Sequence, residues 1–205
     1  MSVESFLIAT RSAGKLRELR ALFRGVDISI TDLEAAGIEP SAEEEELESA
    51  ETFEENALAK ARYFARRSGR PVIADDSGLE VEALGGRPGV RSKRWSGRTD
   101  LTGEALDEEN NRRLLDELAG QKNRRARYVC VAALVDGSSE STFRGTSSGV
   151  ILTAPRGTGG FGYDPYFLSD DLGMTFAEAS VGEKERVSHR GRAFLALVNS
   201  LRARR

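Results

Sequence analysis

Short apolar runs alternate along this chain with segments in which apolar residues recur at helical spacing. The runs that predict strands are Ser5–Ala9, Val26–Ile30, Pro71–Ala74, Arg127–Val135, Ser141–Gly145 and Val150–Thr153. The segments that predict helices are Ala13–Phe23, a helix opened by Thr52, Gly103–Leu118 and a last helix that ends near Ala203. The apolar residues of that last helix predicted to point inward are Phe194, Leu195, Val198 and Leu201. Because strands and helices interleave, we predict an α/β fold with a mixed sheet. A chain of 205 residues suffices for one sizeable domain or two closely packed lobes.

Three local signals refine this reading. Asp136-Gly137 lies between two predicted strands and is typical of a hairpin turn. Thr31–Ala50 is a long polar connection, and its run Glu43–Glu46 predicts a solvated loop. Thr52, followed three residues later by Glu55, matches a capping box and predicts a helix start.

Composition and charge narrow the class of protein. Hydrophobic residues make up 39% of the chain and charged residues 31%, as in soluble globular proteins. A net charge of −3 gives no reason to expect bulk electrostatic binding to nucleic acid. The stretch Met1–Thr10 has no basic start and only a short apolar run, so we expect neither a secretory signal nor a membrane span. The single cysteine, Cys130, sits in an apolar run, which predicts a buried thiol and a cytoplasmic location.

Candidate metal ligands are carboxylates, because the only histidine is His189 and a site with several histidines is excluded. The apolar run Val72–Ala74 stops at Asp75 and Asp76, which would hold hard oxygen ligands for Mg²⁺ or Mn²⁺ on a rigid element. Side chains alternate along a strand, so both carboxylates reach one metal only if the strand has already ended. We expect one to serve the site and the other to fix a local turn; the alternative is a capping pair in a glycine-containing turn.

The segment Thr10–Lys15 lies where a predicted strand passes into a helix. A helix N-terminus offers free N–H groups and a positive dipole, Gly14 permits a close approach, and Lys15 adds a charge for a phosphate. The segment is not a P-loop, since the glycine five residues before Gly14 is missing and Leu16 replaces the required Ser or Thr. The alternative is an ordinary strand-to-helix turn with a surface lysine.

Three further groups have chemistry suited to a nucleotide. Asn56 and Lys60 lie four residues apart on one face of a predicted helix, either toward phosphate or toward solvent. In the glycine-rich run Gly157–Pro165, Phe161 is placed either to stack on a base or to pack in the core. Lys184 and His189 would be about 140° apart on one continuous helix, so they share a ligand only if the helix begins or kinks near Ser188.

Five segments together resemble the inosine triphosphate pyrophosphatase family, also called Ham1-like. They are Ala9–Leu19, Thr52–Arg62, Ala74–Ser96, Gly157–Pro165 and Ser188–Arg192, in this order. The resemblance implies a magnesium-dependent hydrolase that converts inosine, deoxyinosine and xanthosine triphosphates to the monophosphate and pyrophosphate and so cleanses the nucleotide pool. It implies a cytoplasmic homodimer in which residues 1–205 form a single two-lobed domain, with a central mixed sheet flanked by helices and the active site in the cleft between the lobes. Neither nucleic acid nor a membrane is an expected partner.

The resemblance also assigns roles to residues. It implies that Asp76 is catalytic and binds the metal together with Glu48, although the glutamate-rich loop offers other candidates for that second ligand, and that Lys60 is the helix lysine of the catalytic set. The residues implied to bind substrate are Thr10, Arg11, Ser12, Ala13, Gly14, Lys15, Ser77, Phe161, Gly162, Tyr163, Asp164, Lys184, His189 and Arg190.

One residue departs from the family's pattern, because Ser12 stands where the family usually has Asn. Serine is shorter and lacks amide N–H donors, so a weaker or water-mediated phosphate contact is expected. Two alternatives stay open: a pyrophosphatase of the similarly folded Maf type, which the motifs in Phe161–Pro165 and Ser188–Arg192 disfavour, and a non-catalytic nucleotide-binding protein.

Overall fold

The computed structural model describes residues 4–204 and has the α/β architecture expected. The strands are β1 (Glu4–Ala9), β2 (Ile28–Asp32), β3 (Val72–Val81), β4 (Arg125–Asp136), β5 (Ser139–Ile151) and β6 (Phe167–Ser169). The helices are α1 (Ala13–Leu22), α2 (Phe53–Ser68), α3 (Gly103–Glu117), α4 (Val181–Val187) and α5 (His189–Ala203). The sheet order is β2-β1-β3-β4-β5-β6. Since β1 runs parallel to β2 and β3 while β5 and β6 are antiparallel, the sheet is mixed, as predicted.

The described residues group into two compact units. The first unit comprises the residues up to Asp76, Cys130–Gly145 and the residues from Arg192 onward. The second unit comprises Ser77–Val129 and Thr146–Gly191. Among residues 4–204, none of the helices is both long enough and apolar enough to cross a membrane.

The core of the first unit forms where α1 and α5 pack on strand side chains. Ile8 of β1 and Ile73 of β3 are register partners and are fully buried in this cluster. Phe23, which caps α1, meets Phe194 of α5 edge to face with ring centres 6.0 Å apart. Leu195 was predicted to point inward and is 59% exposed. The prediction is wrong because 100° per residue turns position 195 away from the face that holds Phe194.

The core of the second unit is richer in aromatic rings. Tyr128, Phe167 and Phe176 lie in one cluster, with ring centres 4.7 Å apart for the first pair and 5.0 Å for Phe167 and Phe176. Leu114 of α3 and Leu79 of β3 are fully buried in the same cluster. Burial of such large side chains is the main stabilising term of this unit.

Two strands are longer than the sequence suggested. The strand predicted as Pro71–Ala74 does not stop at its carboxylates but continues to Val81. The alternation of Leu79, Glu80 and Val81 is a strand pattern that signals this continuation. The predicted segment Ser141–Gly145 and the first two residues of the predicted segment Val150–Thr153 belong to one strand, β5, which ends at Ile151. This strand follows β4 after a turn at Gly137 with φ 57°.

The glutamate-rich connection is also more ordered than predicted. Ala42–Glu46 form a 3₁₀ helix whose cap is Ser41: the Ser41 hydroxyl accepts from the Glu43 N–H, and the Glu44 carboxylate accepts from the Ser41 N–H. Glu43, Glu45 and Glu46 are exposed, as expected for a solvated run, whereas Glu44 is turned inward.

The basic segment near the end of the chain breaks where the sequence indicated. Ser188 has extended backbone angles, φ −69° and ψ 155°, and separates α4 from α5. Its hydroxyl accepts from the Gly191 N–H at 3.0 Å, so Ser188 caps α5. Gly191 is required here because a Cβ would collide with the Glu185 carbonyl.

Candidate active site

The turn before α1 is organised by short side chains. The Ser12 hydroxyl accepts from the Lys15 N–H at 3.3 Å, and the Thr10 hydroxyl accepts from the Ser12 N–H at 3.2 Å. Ala13 and Gly14 occupy the first turn of α1, where backbone N–H groups have no partner within the helix. Ser12 therefore acts as the cap of α1.

Asp75 and Asp76 occupy adjacent positions inside β3, so their side chains point to opposite faces of the sheet. The Asp75 carboxylate is 1% exposed and lies 3.1 Å from the Lys15 ammonium and 3.8 Å from the Cys130 sulfur. The prediction that the second carboxylate fixes a local turn is wrong, because the strand continues and Asp75 is a buried ion-pair partner of Lys15. Cys130 is a buried thiol, as predicted.

The polar stripe of α2 faces the protein interior. Asn56 is fully buried; its side-chain amide donates to the Asp76 carboxylate at 2.9 Å and its carbonyl accepts from the Ala50 N–H at 2.9 Å. Lys60 donates to the Asp75 carbonyl at 2.9 Å and forms an ion pair with Glu48. The alternative of a solvent-exposed stripe is therefore wrong. We call Lys15, Glu48, Asn56, Lys60, Asp75 and Asp76 the carboxylate cluster.

Asp76 is the electrostatic centre of the carboxylate cluster. Burial raises the pKa of its carboxyl above the ordinary value, the positive charges of Lys15 and Lys60 oppose that shift, and Glu48 adds to it. Burial disfavours the charged form of this carboxyl, so an added positive charge beside Asp76 would be favourable.

The donor chemistry of the cluster fits Mg²⁺. Glu48 and Asp76 repel each other electrostatically, so a cation held between their charges would relieve the repulsion. No group of three or more His, Cys, Asp or Glu side chains suited to a metal occurs among residues 4–204. Mg²⁺ needs no such group, since it typically takes one or two carboxylates, several waters and substrate phosphates.

The second assembly of predicted residues lies around the glycine-rich loop. The Asp164 carboxylate accepts from the Phe161 N–H at 2.9 Å and pairs with the Lys184 ammonium at 2.5 Å. Gly160, at φ 74°, is required because a Cβ would collide with that carboxylate. Phe161 is half-buried, and the Lys184 nitrogen lies 5.1 Å from the centre of its ring.

His189 begins α5 and is 4% exposed. Its ring stacks on Tyr128 with centres 4.5 Å apart and planes 7° from parallel. The next residue, Arg190, is also buried and donates to the Ser77 hydroxyl at 2.8 Å. The helix break near Ser188, which the sequence requires if Lys184 and His189 are to face one ligand, is present, and both side chains are buried. We call Ser77, Tyr128, Phe161, Asp164, Phe176, Lys184, His189 and Arg190 the aromatic cluster.

Two side chains predicted to bind substrate, those of Tyr163 and Arg11, contact other residues of the protein. Tyr163 is buried, donates its hydroxyl to the Ser92 carbonyl at 2.7 Å, and has a pKa raised by that burial. The Arg11 guanidinium is bonded to Glu44. A sequence motif does not carry these contacts, because the partners lie far away in the chain.

Two polar residues of α3 hold the backbone of the glycine-rich loop, and the sequence analysis did not predict either of them as part of the site. The Gly162 N–H donates to the Asp107 carboxylate at 2.8 Å, and its carbonyl accepts from the Asn111 side chain at 2.9 Å. Burial raises the pKa of Asp107. The stacking of Tyr128 on His189 was not predicted either, because the sequence analysis places Tyr128 only in an apolar strand. A polar side chain on the buried face of a helix was the available signal for Asn111.

Comparison with known proteins agrees with the resemblance. The sequence profile of the Ham1 family matches residues 6–200. The chain is 46% identical to the dITP/XTP pyrophosphatase of Geobacter sulfurreducens, covering 95% of each chain. It is 47% identical to the dITP/XTP pyrophosphatase of Frankia alni, covering 96% of each. A solved HAM1 protein from Coxiella burnetii superposes with a TM-score of 0.83 at 34% identity, over 98% of this chain and 99% of that one.

Proposed function

Because the chain belongs to the Ham1 family, we propose that it hydrolyses inosine, deoxyinosine and xanthosine triphosphates to the monophosphate and pyrophosphate. The observation that carries the proposal is the carboxylate cluster. In it the positive charges of Lys15 and Lys60 interact with the buried carboxyl of Asp76, whose pKa is raised by burial. The names of the relatives, dITP/XTP pyrophosphatase, support this choice of substrates.

Release of pyrophosphate requires water to attack the α-phosphorus while the bond to the β-phosphate oxygen breaks. The protein's task is to position the triphosphate and neutralise its charge. Lys15 and Lys60 supply positive charge, and the first-turn N–H groups of α1, at Ala13 and Gly14, supply donors for phosphate oxygens. Thr10 and Ser12 hold that turn in shape.

Asp76 orients the attacking water and accepts its proton. Asn56 holds the carboxylate in place through its 2.9 Å hydrogen bond. Asp76 and Glu48 would also hold Mg²⁺, or Mn²⁺ in its place, and the bound ion supplies positive charge to the phosphate oxygens.

Base recognition is the role of the aromatic cluster. Phe161 provides a half-buried ring for stacking, worth about 1–3 kcal/mol per base. Donors from His189, Arg190 or the backbone suit the O6 acceptor of inosine and xanthosine and oppose the amino group of adenine. One good contact of this kind gives about 1–3 kcal/mol of discrimination. Guanine also carries O6, so its rejection depends on its 2-amino group.

A panel of nucleoside triphosphates assayed for pyrophosphate, with and without Mg²⁺, tests the proposal. We expect pyrophosphate from inosine, deoxyinosine and xanthosine triphosphates, little from the four standard purine and pyrimidine substrates, and dependence on the metal. Binding without turnover would support a non-catalytic nucleotide-binding protein. Preference for modified pyrimidines would support a Maf-type activity.

The base-reading role is tested by His189→Ala. We expect the ratio of inosine to adenine triphosphate hydrolysis, compared as kcat/KM, to fall by about 5- to 150-fold, the value of one base contact. Hydrolysis of both substrates in the wild-type ratio would reject the role.

The homodimer and the cytoplasmic location stay predictions from the family resemblance. Light scattering of the purified protein at several concentrations checks the first, and cell fractionation checks the second.

A further inference from the structure

We call the glutamate-rich connection between β2 and α2, residues 33–52, the acidic connection. Within it Glu44 is partly buried, whereas Glu43, Glu45 and Glu46 are exposed. Its side chain is 15% exposed. Its carboxylate accepts from Arg11 at 3.0 Å (Nε) and 2.8 Å (Nη2), from the Ser41 N–H at 3.2 Å and from Arg67 at 3.4 Å. The hydrogen bond with Arg11 is the largest of the causes that lower the pKa of Glu44. Glu44 is thus the acid that anchors this connection.

Arg11 holds the connection at two points. Its Nε and Nη2 atoms form a fork on the Glu44 carboxylate, while Nη1 donates to the Ile38 carbonyl at 2.9 Å. The guanidinium also lies 5.9 Å from the ring centre of Phe64 on α2. A planar five-donor group makes this set of bonds, and a lysine ammonium does not reproduce it.

The segment held in this way leads directly to Glu48. Glu48 follows Glu44 by four residues and forms the ion pair with Lys60 of α2. The connection from β2 to α2 is long, and long connections have a high entropic cost of ordering. The bonds of Arg11 to Glu44 and Ile38 fix the middle of this connection. They therefore reduce the conformational entropy that is lost when Glu48 is held beside Lys60.

We propose that Arg11 is a positioning residue that, through Glu44 and Ile38, orders the segment 38–48 and so presents Glu48 for metal binding. The part that concerns metal rests on the proposed function. The Arg11 side chain is then not a phosphate ligand, although its backbone belongs to the phosphate-binding turn. This replaces the substrate-binding role predicted for that side chain.

The test compares Arg11→Ala, Arg11→Lys and Glu44→Gln with the wild type. We expect all three to weaken Mn²⁺ binding to the nucleotide-free protein, measured by calorimetry, by about tenfold, the usual cost of losing a residue that supports a ligand. Cleavage by a glutamate-specific protease within residues 43–48 should accelerate in the same three variants. At saturating metal, the KM for inosine triphosphate should stay within about twofold of the wild type, since a supporting residue acts on the ligand and not on the substrate.

Arg62→Ala provides the matched control. Arg62 of α2 makes the same forked pair with Glu140, at 2.8 and 2.5 Å, but does not touch the acidic connection. Protease cleavage within 43–48 and Mn²⁺ affinity should be unchanged in this variant. Thermal unfolding of every variant confirms that each is folded.

The alternative outcome is specific. If Arg11 contacts phosphate, Arg11→Ala raises the KM for inosine triphosphate while Glu44→Gln does not, and Arg11→Lys retains most of the wild-type value. That pattern, or unchanged protease cleavage in all three variants, overturns the proposal. Failure of the proposed function would appear as absent pyrophosphate release by the wild type, whereas the protease result is independent of turnover.

Discussion

The carboxylate cluster and the aromatic cluster treat buried charge in opposite ways. Around Asp76, several charges of both signs are buried together, and burial still raises the pKa of that carboxyl. Around Lys184, one ammonium meets one carboxylate at 2.5 Å, and aromatic rings surround the pair. The first cluster gains from an added cation and phosphate. In the second cluster the Lys184–Asp164 pair is matched, and the buried Arg190 guanidinium adds one further positive charge.

This difference explains the division of labour that we propose. Burial disfavours the charged form of the Asp76 carboxyl. The carboxylate cluster is therefore suited to bind a cation together with phosphate, and to transfer a proton. A matched pair framed by stacked rings is suited to hold a base in one orientation, because its groups need not rearrange when the base binds. Substitutions at four residues, each paired with a control or companion variant, test this contrast and the turn before α1.

The largest effect is expected for Asp164→Ala. Removal of this acid leaves the buried Lys184 without its carboxylate, and breaking a buried pair typically costs about 3–5 kcal/mol. Urea unfolding measures the loss. Asp170→Ala, which removes the exposed partner of Arg125, is the control and should change stability little. Equal losses in the two variants would contradict the view that the Lys184 pair is matched and buried.

Asp76→Asn should abolish most activity and yet stabilise the metal-free protein. Turnover of inosine triphosphate should fall by at least about 10²-fold, the scale of one key electrostatic group. Near-normal turnover would reject the catalytic assignment.

The stability change in Asp76→Asn depends on pH. Because the folded-state pKa is raised above the ordinary 3.8, the stabilising contribution of Asp76 is present below that value and is lost as the pH rises through the folded-state pKa. The gain from asparagine should therefore appear at neutral pH and vanish near pH 3 in melting curves with a chelator, since asparagine does not titrate. Asp32, whose pKa is lowered mainly by the Ala35 N–H, is the control: Asp32→Asn should lose stability at neutral pH.

Tyr128→Leu should have a smaller effect on catalysis, seen in base selection, and should also lower stability because Tyr128 packs on Phe167 and Phe176 in the core. The stacked contact of Tyr128 with His189 is lost, and such aromatic pairs are worth about 0.5–1.5 kcal/mol, or a factor of about 2–12 in the ratio of inosine to adenine triphosphate hydrolysis. Tyr128→Phe keeps the ring and should retain the wild-type ratio. If leucine and phenylalanine change the ratio equally, stacking is not the cause.

Ser12→Asn should have the smallest effect. Asparagine also caps helices and adds amide donors for phosphate, so we expect the KM for inosine triphosphate to fall by no more than about threefold with stability unchanged. Ser12→Ala loses the cap and should lower the free energy of unfolding by about 0.5–2 kcal/mol. An unfolding energy equal to that of wild type in the alanine variant would show that the cap on Lys15 N–H is dispensable.

Local patterns were sufficient for much of the fold and for the family. The helix starting after Thr52, the break at Ser188 and the buried Cys130 follow from short-range rules of capping and hydrophobicity, and the structure confirms them. The predicted Ham1-like family is confirmed by the profile match over residues 6–200. The Maf-type reading is correspondingly disfavoured.

What the sequence alone determined was which residue types stand at which spacing, and hence the α/β class, the helix boundaries and the candidate chemistry of each motif. Tertiary structure decided which partner each polar side chain contacts. Asp75 pairs with Lys15 and does not stabilise a local turn. Tyr163 packs in the core, and Arg11 bonds to Glu44, which lies 33 residues away in the chain. Capping and periodicity act between near neighbours, whereas burial and ion pairing depend on segments that only folding brings together, so no local pattern contains them.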